Sequence, residues 1–189
     1  AERVALNFLQ MQSAVATKTQ AYCQAVAGTN AAIVDTRKTL PGLRMAQKYA
    51  VAVGGGVNHR IGLFDAILIK ENHIAAAGGV RQVLEQAHAV AQTPAASALK
   101  FVQIEVETLE QLHQALDAGA NMVLLDNMDM ASLRQAVVIN AGRAVLEVSG
   151  GVTFERLAEL ASTGVDRISI GGLTKDVRAT DYSMRFQVA

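Results

Sequence analysis

Acidic, basic and glycine residues gather at the ends of a series of short apolar runs. Asp35-Thr36-Arg37-Lys38 closes the first run and Lys70-Glu71-Asn72-His73 the second. Glu105 lies in a third, and Asp126-Asn127 closes a fourth. Glu147-Val148-Ser149-Gly150-Gly151 ends the fifth, and Gly171-Gly172-Leu173-Thr174 follows the sixth. Arg37, Lys38, His59, Arg60 and Lys70 form a cationic stretch whose arginine forks and lysine point charges suit a ligand carrying several negative charges. Glu105 and Asp126, on neighbouring run ends, are hard oxygen donors for a partly hydrated Mg²⁺. The alternative for Glu105 is an ion pair with Lys70 or Lys38. The glycines of the fifth and sixth runs offer unobstructed backbone N–H groups to a phosphate, or merely permit tight turns. Together these residues suggest an enzyme that handles a phosphorylated, multiply anionic substrate with Mg²⁺.

Other constellations carry less. Cys23 lies on a helix without a nearby histidine, and His88 and His113 sit on amphipathic helices as solvated residues. No histidine–cysteine spacing suits zinc. Gly54-Gly55-Gly56 lacks the strand and spacing of a dinucleotide fingerprint.

The elements that must position these groups alternate. Helical spacing runs from Ala5 to Val26, then Ala31–Asp35 reads as a buried strand. A helix over Leu43–Tyr49 precedes the strand Ala66–Ile69, and a helix over 78–92 leads to the strand Phe101–Val106. Helix Leu109–Ala118, strand Met122–Leu125, helix Ala131–Asn140, strand Ala144–Val148, helix Phe154–Ser162 and strand Arg167–Ile170 follow. The strands read as apolar throughout, without half-exposed alternation, which implies parallel pairing under covering helices. The expected fold is α/β: a parallel (β/α) barrel, incomplete with about six strands, preceded by an N-terminal helix. A full barrel has eight, so either two strands are disguised or something else covers an open side. Charged groups at the C-terminal rim of such strands converge on one mouth.

Composition bounds the classes. Among 189 residues, about half are apolar and 18% charged, which fits one well-packed domain over 1–189 rather than a disordered chain. Seventeen basic and seventeen acidic side chains cancel, leaving no global field for nucleic acid or an anionic membrane. A single cysteine excludes an internal disulfide and suits the cytoplasm. The charged and amide-rich first twenty residues resemble neither a signal peptide nor a membrane span.

Several blocks carry a family resemblance. Glu2-Arg3, the block Asp35 to Arg44, Gly54 to Arg60 and Leu68 to His73 resemble quinolinate phosphoribosyltransferases, as do Glu105-Val106-Glu107, Leu124 to Asn127, Ser149-Gly150-Gly151 and Gly171 to Thr174. The resemblance implies decarboxylating transfer of the phosphoribosyl group from phosphoribosyl pyrophosphate to quinolinate, in NAD biosynthesis. It implies that Arg37, His59 and Arg60, with Arg3 reaching in from a neighbouring subunit of a homodimer or larger homo-oligomer, hold the two carboxylates. Lys38 and Lys70 would meet carboxylate and phosphoribosyl pyrophosphate oxygens, with His73 beside them. Glu105 and Asp126 would contact the ribose hydroxyls and the Mg²⁺ on pyrophosphate, making Lys38, Lys70, Glu105 and Asp126 the catalytic set. Ser149, Gly150, Gly151, Gly171 and Gly172 would cradle the 5′-phosphate. The family carries an N-terminal sandwich domain ahead of the first helix that this chain does not contain, and dimerisation and turnover are expected to depend on it. A relative acting on another carboxylated heterocycle would need the same residues, and comparing quinolinate with nicotinate as acceptor separates the two.

Overall fold

Period-two patterning explains how the strands form a barrel with a polar inside. The structure, a computed structural model, describes residues 1–185. Six strands, β1 (Ala32–Val34), β2 (Ile67–Ile69), β3 (Val102–Val106), β4 (Met122–Asp126), β5 (Val145–Ser149) and β6 (Arg167–Ser169), pair in parallel in the order β1-β6-β5-β4-β3-β2. The return of β6 to β1 curls the sheet and leaves β1 and β2 as its two edges.

Val57 partly fills that seam: its N–H donates to Ile33 O at 2.8 Å and its carbonyl accepts from Asp35 N at 3.1 Å. The segment is a disguised strand too short for any periodicity to announce. An incomplete barrel of six strands, as expected, is what forms.

Successive side chains of a strand point to opposite faces. Ile33, Ile69, Ile104, Val106, Val123, Leu125, Leu146, Val148 and Ile168 point outward and join one core with Leu84, Leu112, Leu133 and Leu157 of the surrounding helices. Each such buried side chain contributes about 1.5–3 kcal/mol over an exposed one. The opposite set includes Gln103, Glu105, Asp126, Glu147, Ser149, Arg167 and Ser169, alternating with the apolar set on β3 to β6. The reading of the strands as apolar throughout is therefore corrected. β3, β5 and β6 alternate, with the polar positions turned to the barrel axis.

Helices α1 (Glu2–Ala25), α2 (Arg44–Val53), α4 (Val80–Ala91), α5 (Leu109–Asp117), α6 (Met130–Asn140) and α7 (Leu157–Ala161) occupy the expected places, and two short ones, α3 (Glu71–Ala77) and α8 (Gly172–Lys175), add to them. Side-chain caps seed two helices: Thr108 Oγ1 accepts from Gln111 N, and Asp129 Oδ1 from Ser132 N. α1 buries only Val15 and Thr19. It crosses the end of α2 so closely that a Cβ on Gly54 would meet Ala16 O at 2.4 Å and one on Gly56 would meet Thr19 Cγ2 at 2.7 Å, which accounts for those two glycines. No helix among the described residues is long and apolar enough to cross a membrane.

Candidate active site

The strand ends open into a cavity of about 590 Å³ at the C-terminal mouth of the barrel. Of the residues singled out in the sequence, Arg37, Lys38, His59, Arg60, Lys70, Glu105, Asp126, Ser149, Gly150, Gly151, Gly171 and Gly172 all line it. Arg3, near the start of α1, and His73 do not. The His73 Nδ1 accepts from Lys70 N at 3.0 Å, so the ring caps α3. A smaller hollow of about 370 Å³, lined by Asn140, Arg143 and Asp166, contains none of these residues.

The mouth is electropositive. Arg37, Lys38, Arg60, Lys70 and Lys175 oppose Glu105, Asp126 and Glu147, a surplus of two positive charges. Lys70 Nζ lies 2.9 Å from Glu105 Oε1, so the ion pair weighed for Glu105 forms. Burial pulls the Lys70 ammonium down, but Glu105, Glu71 and Asp126 outweigh it and hold it above the ordinary lysine value. Arg60 is buried beside Arg37, and both effects lower its pKa against the pull of Asp65.

Below the cations lies a polar floor. His59 Nε2 is 2.8 Å from Gln103 Oε1, and Arg60 N–H donates to His59 Nδ1 at 2.8 Å. That pairing assigns the proton to Nε2. Burial holds the ring below the ordinary histidine range, against Glu147 and Gln103. His59, grouped with the cations on sequence, is thus a neutral ring in the wall. The Glu147 carboxylate, wholly buried, sits 3.0 Å from Arg167 Nε and 3.6 Å from His59 Nε2, without hydrogen-bond alignment to either. The sequence puts Glu147 near a strand end without giving it a part. Its place two residues before Ser149 on β5 is the signal that points to the cavity.

The turns after β5 and β6 bring glycines to the same cavity. Gly150 has φ +92°, and a Cβ there would stand 2.1 Å from Asn127 Oδ1. Asn127, itself at φ 53°, donates to Asp126 Oδ2 at 2.7 Å. A Cβ on Gly171 would meet Lys38 Cδ at 3.1 Å. From outside, Lys18 Nζ donates to Gly172 O at 2.8 Å and fixes the second turn to α1. Gly150→Ala is expected to cost about 1–2 kcal/mol for the left-handed backbone alone, plus displacement of Asn127. Gly151→Ala, with open space around its Cβ, should unfold at a higher temperature than Gly150→Ala. Equal melting temperatures would contradict this account of the Gly150 turn.

The family model described as quinolinate phosphoribosyl transferase, C-terminal domain, matches residues 15–185. The chain belongs to that family. It is 47% identical to the nicotinate-nucleotide pyrophosphorylase [carboxylating] of Mycobacterium leprae, covering 97% of this chain and 64% of that protein. Against quinolinate phosphoribosyltransferase [decarboxylating] 1b of Nicotiana tabacum it is 42% identical, covering 98% and 56%. The crystal structure of NadC from Streptococcus pyogenes superposes with a TM-score of 0.91 at 43% identity, covering 98% and 63%. The chain therefore spans less than two thirds of the length of each of these relatives.

Proposed function

We propose that this domain supplies the site for decarboxylating phosphoribosyl transfer from phosphoribosyl pyrophosphate to quinolinate, yielding nicotinate mononucleotide, pyrophosphate and CO₂. The observation that carries the reading is one cavity lined by both a surplus of cations and two glycine turns, in a chain of this family. Arg37, Lys38 and Arg60 hold the two quinolinate carboxylates by charged hydrogen bonds. Ser149 to Gly151 and Gly171-Gly172 hold the 5′-phosphate with backbone N–H groups. The quinolinate nitrogen attacks ribose C1 as the C1–oxygen bond to pyrophosphate breaks, and Lys70 stabilises the charge growing on the leaving group. Glu105 and Asp126 orient the ribose. The C2–carboxylate bond then breaks, its electron pair staying on C2 where the adjacent cationic ring nitrogen stabilises it, and that pair takes up a proton in place of CO₂. No protein nucleophile is required.

Mg²⁺ fits as a partner. No group of three or more His, Cys, Asp or Glu side chains placed to hold a metal occurs among the described residues, but Glu105 and Asp126 offer hard oxygens at the rim. Mg²⁺ takes few protein ligands, so Glu105 and Asp126 would hold it. Bound there, the ion would neutralise charge on the leaving group. A homodimer is part of the proposal: Arg3 of α1 does not line its own cavity, stands beside exposed Val4 and near Phe8 and Leu9 in sequence, and reaches a neighbouring site. The half-buried single thiol of Cys23 suits the reducing cytoplasm.

The test supplies quinolinate labelled in its C2 carboxylate together with phosphoribosyl pyrophosphate and Mg²⁺. One labelled CO₂ and one pyrophosphate per nicotinate mononucleotide is the expected stoichiometry, with no product from nicotinate and sharply less turnover in EDTA. Turnover of nicotinate in preference to quinolinate would sink the reading.

A further inference from the structure

α2 buries polar side chains alongside the apolar Ala50 and Val51. Met45, Tyr49 and Val53 are exposed, while Gln47 and Lys48 are almost wholly buried. Buried polar groups are costly unless hydrogen-bonded, and the bonds made by this face end on the cavity-lining Arg37 and His59 or on segments adjoining the cavity wall. Arg44 donates from Nη2 to Arg37 O at 3.1 Å, from Nη1 to Ile61 O at 3.2 Å and from Nε to Thr39 Oγ1 at 3.2 Å. Gln47 accepts from Leu40 N at 2.8 Å and donates to Thr174 O at 2.7 Å. Lys48 donates to His59 O at 2.9 Å and to Asp35 Oδ1, which also receives His59 N–H at 2.8 Å.

We propose that Arg44, Gln47 and Lys48 are positioning residues that set the separation of three cavity walls without touching substrate. Spaced i, i+3 and i+4, they share one helix face, and none lines the cavity. Arg44 and Lys48 tie the Arg37-Lys38 wall to the His59-Arg60 wall. Gln47 ties the first of these to α8 and hence to the phosphate turn at Gly171. Thr174 Oγ1, donating to Lys38 O at 2.8 Å, doubles that second tie. A rigid helix thus sets the spacing between the carboxylate clamp and the phosphate cradle, which is the spacing the transfer itself depends on.

The inference rests on the substrate assignment above, so its experiment has two independent readouts. In steady-state kinetics, Arg44→Ala should raise the quinolinate KM about tenfold and leave the phosphoribosyl pyrophosphate KM within twofold. Millimolar guanidinium should restore it. Gln47→Met, which keeps the volume and removes both bonds, should instead raise the phosphoribosyl pyrophosphate KM. A merely structural role would lower the melting temperature and move both KM values together, without rescue, and that result would overturn the proposal. Crystal structures of the two variants supply the second readout, valid whatever the substrate. Arg37 and Ile61 should separate in the first, and Leu40 and Thr174 in the second; unchanged positions in both would likewise overturn it.

Discussion

Replacing Lys70 with methionine is expected to lower kcat/KM by about 10²–10³-fold while leaving the melting temperature nearly unchanged. Lys70 is the last residue before α3, its side chain about half exposed at the mouth, so little packing depends on it. Its ammonium sits on Glu105 and within the field of Asp126 and Glu71. Without it, the mouth loses one of its five cations, and Glu105 faces incoming phosphate without a counter-charge. On the proposed mechanism the electrostatic loss falls where charge grows on the leaving group. Because the folded pKa of Lys70 lies above its unfolded value, its contribution is complete below the ordinary lysine range and disappears only as pH rises beyond it. The defect of the variant should accordingly be constant from pH 6 to 9. Steady-state kinetics check this. A loss smaller than tenfold would show that Lys70 meets no developing charge.

The second large effect is on stability. Lys48→Met is expected to destabilise the fold by about 3–5 kcal/mol, because it strands a buried carboxylate. The Asp35 side chain is wholly buried and that of Lys48 nearly so. Burial already raises the Asp35 pKa, opposed by Lys48 and by the His59 N–H. A carboxyl whose folded pKa is raised adds stability in its protonated form, and that stability is lost as pH rises through the folded pKa. Removing Lys48 raises it further, so the deficit of the variant should shrink as pH is lowered from 7 toward 5. Adding Asp35→Asn removes the stranded charge and keeps an acceptor for His59 N–H. The double variant should recover more than half of the loss. Urea unfolding of the single and double variants measures both, and a deficit below 1 kcal/mol for Lys48→Met alone would refute the stranded-charge account.

The site is more legible in the sequence than the barrel that carries it. Rim residues stand out because a cluster of charges or glycines at the end of an apolar run is seldom needed for packing, and twelve of the residues singled out, His59 and Arg60 among them, line one cavity. What escapes depends on tertiary contact. The segment at Val57 is a strand only because β1 offers it two backbone partners. α3 begins directly at the end of β2, and its cap is the unusual pair Lys70 and His73 rather than a serine or aspartate. α8 spans four residues, too few for a periodic signal. Glu147 is hidden by the apolar look of β5, although Glu147 and Ser149 alternate with Leu146 and Val148. The neutrality of His59 follows from its burial, and its tautomer from Arg60 N–H at one ring nitrogen and Gln103 at the other, a pairing across forty-four positions that no local pattern encodes.

The central claim is that one mouth binds both partners of the transfer, and a crystal structure of the protein with quinolinate and a non-reactive phosphoribosyl pyrophosphate analogue tests it most directly. The expected complex has the quinolinate carboxylates on Arg37, Lys38 and Arg60, the 5′-phosphate on the N–H groups of Gly150, Gly151 and Gly172, and the pyrophosphate beside Lys70. Quinolinate bound outside this cavity, or a phosphate seated away from the Gly150 and Gly171 turns, would contradict the account.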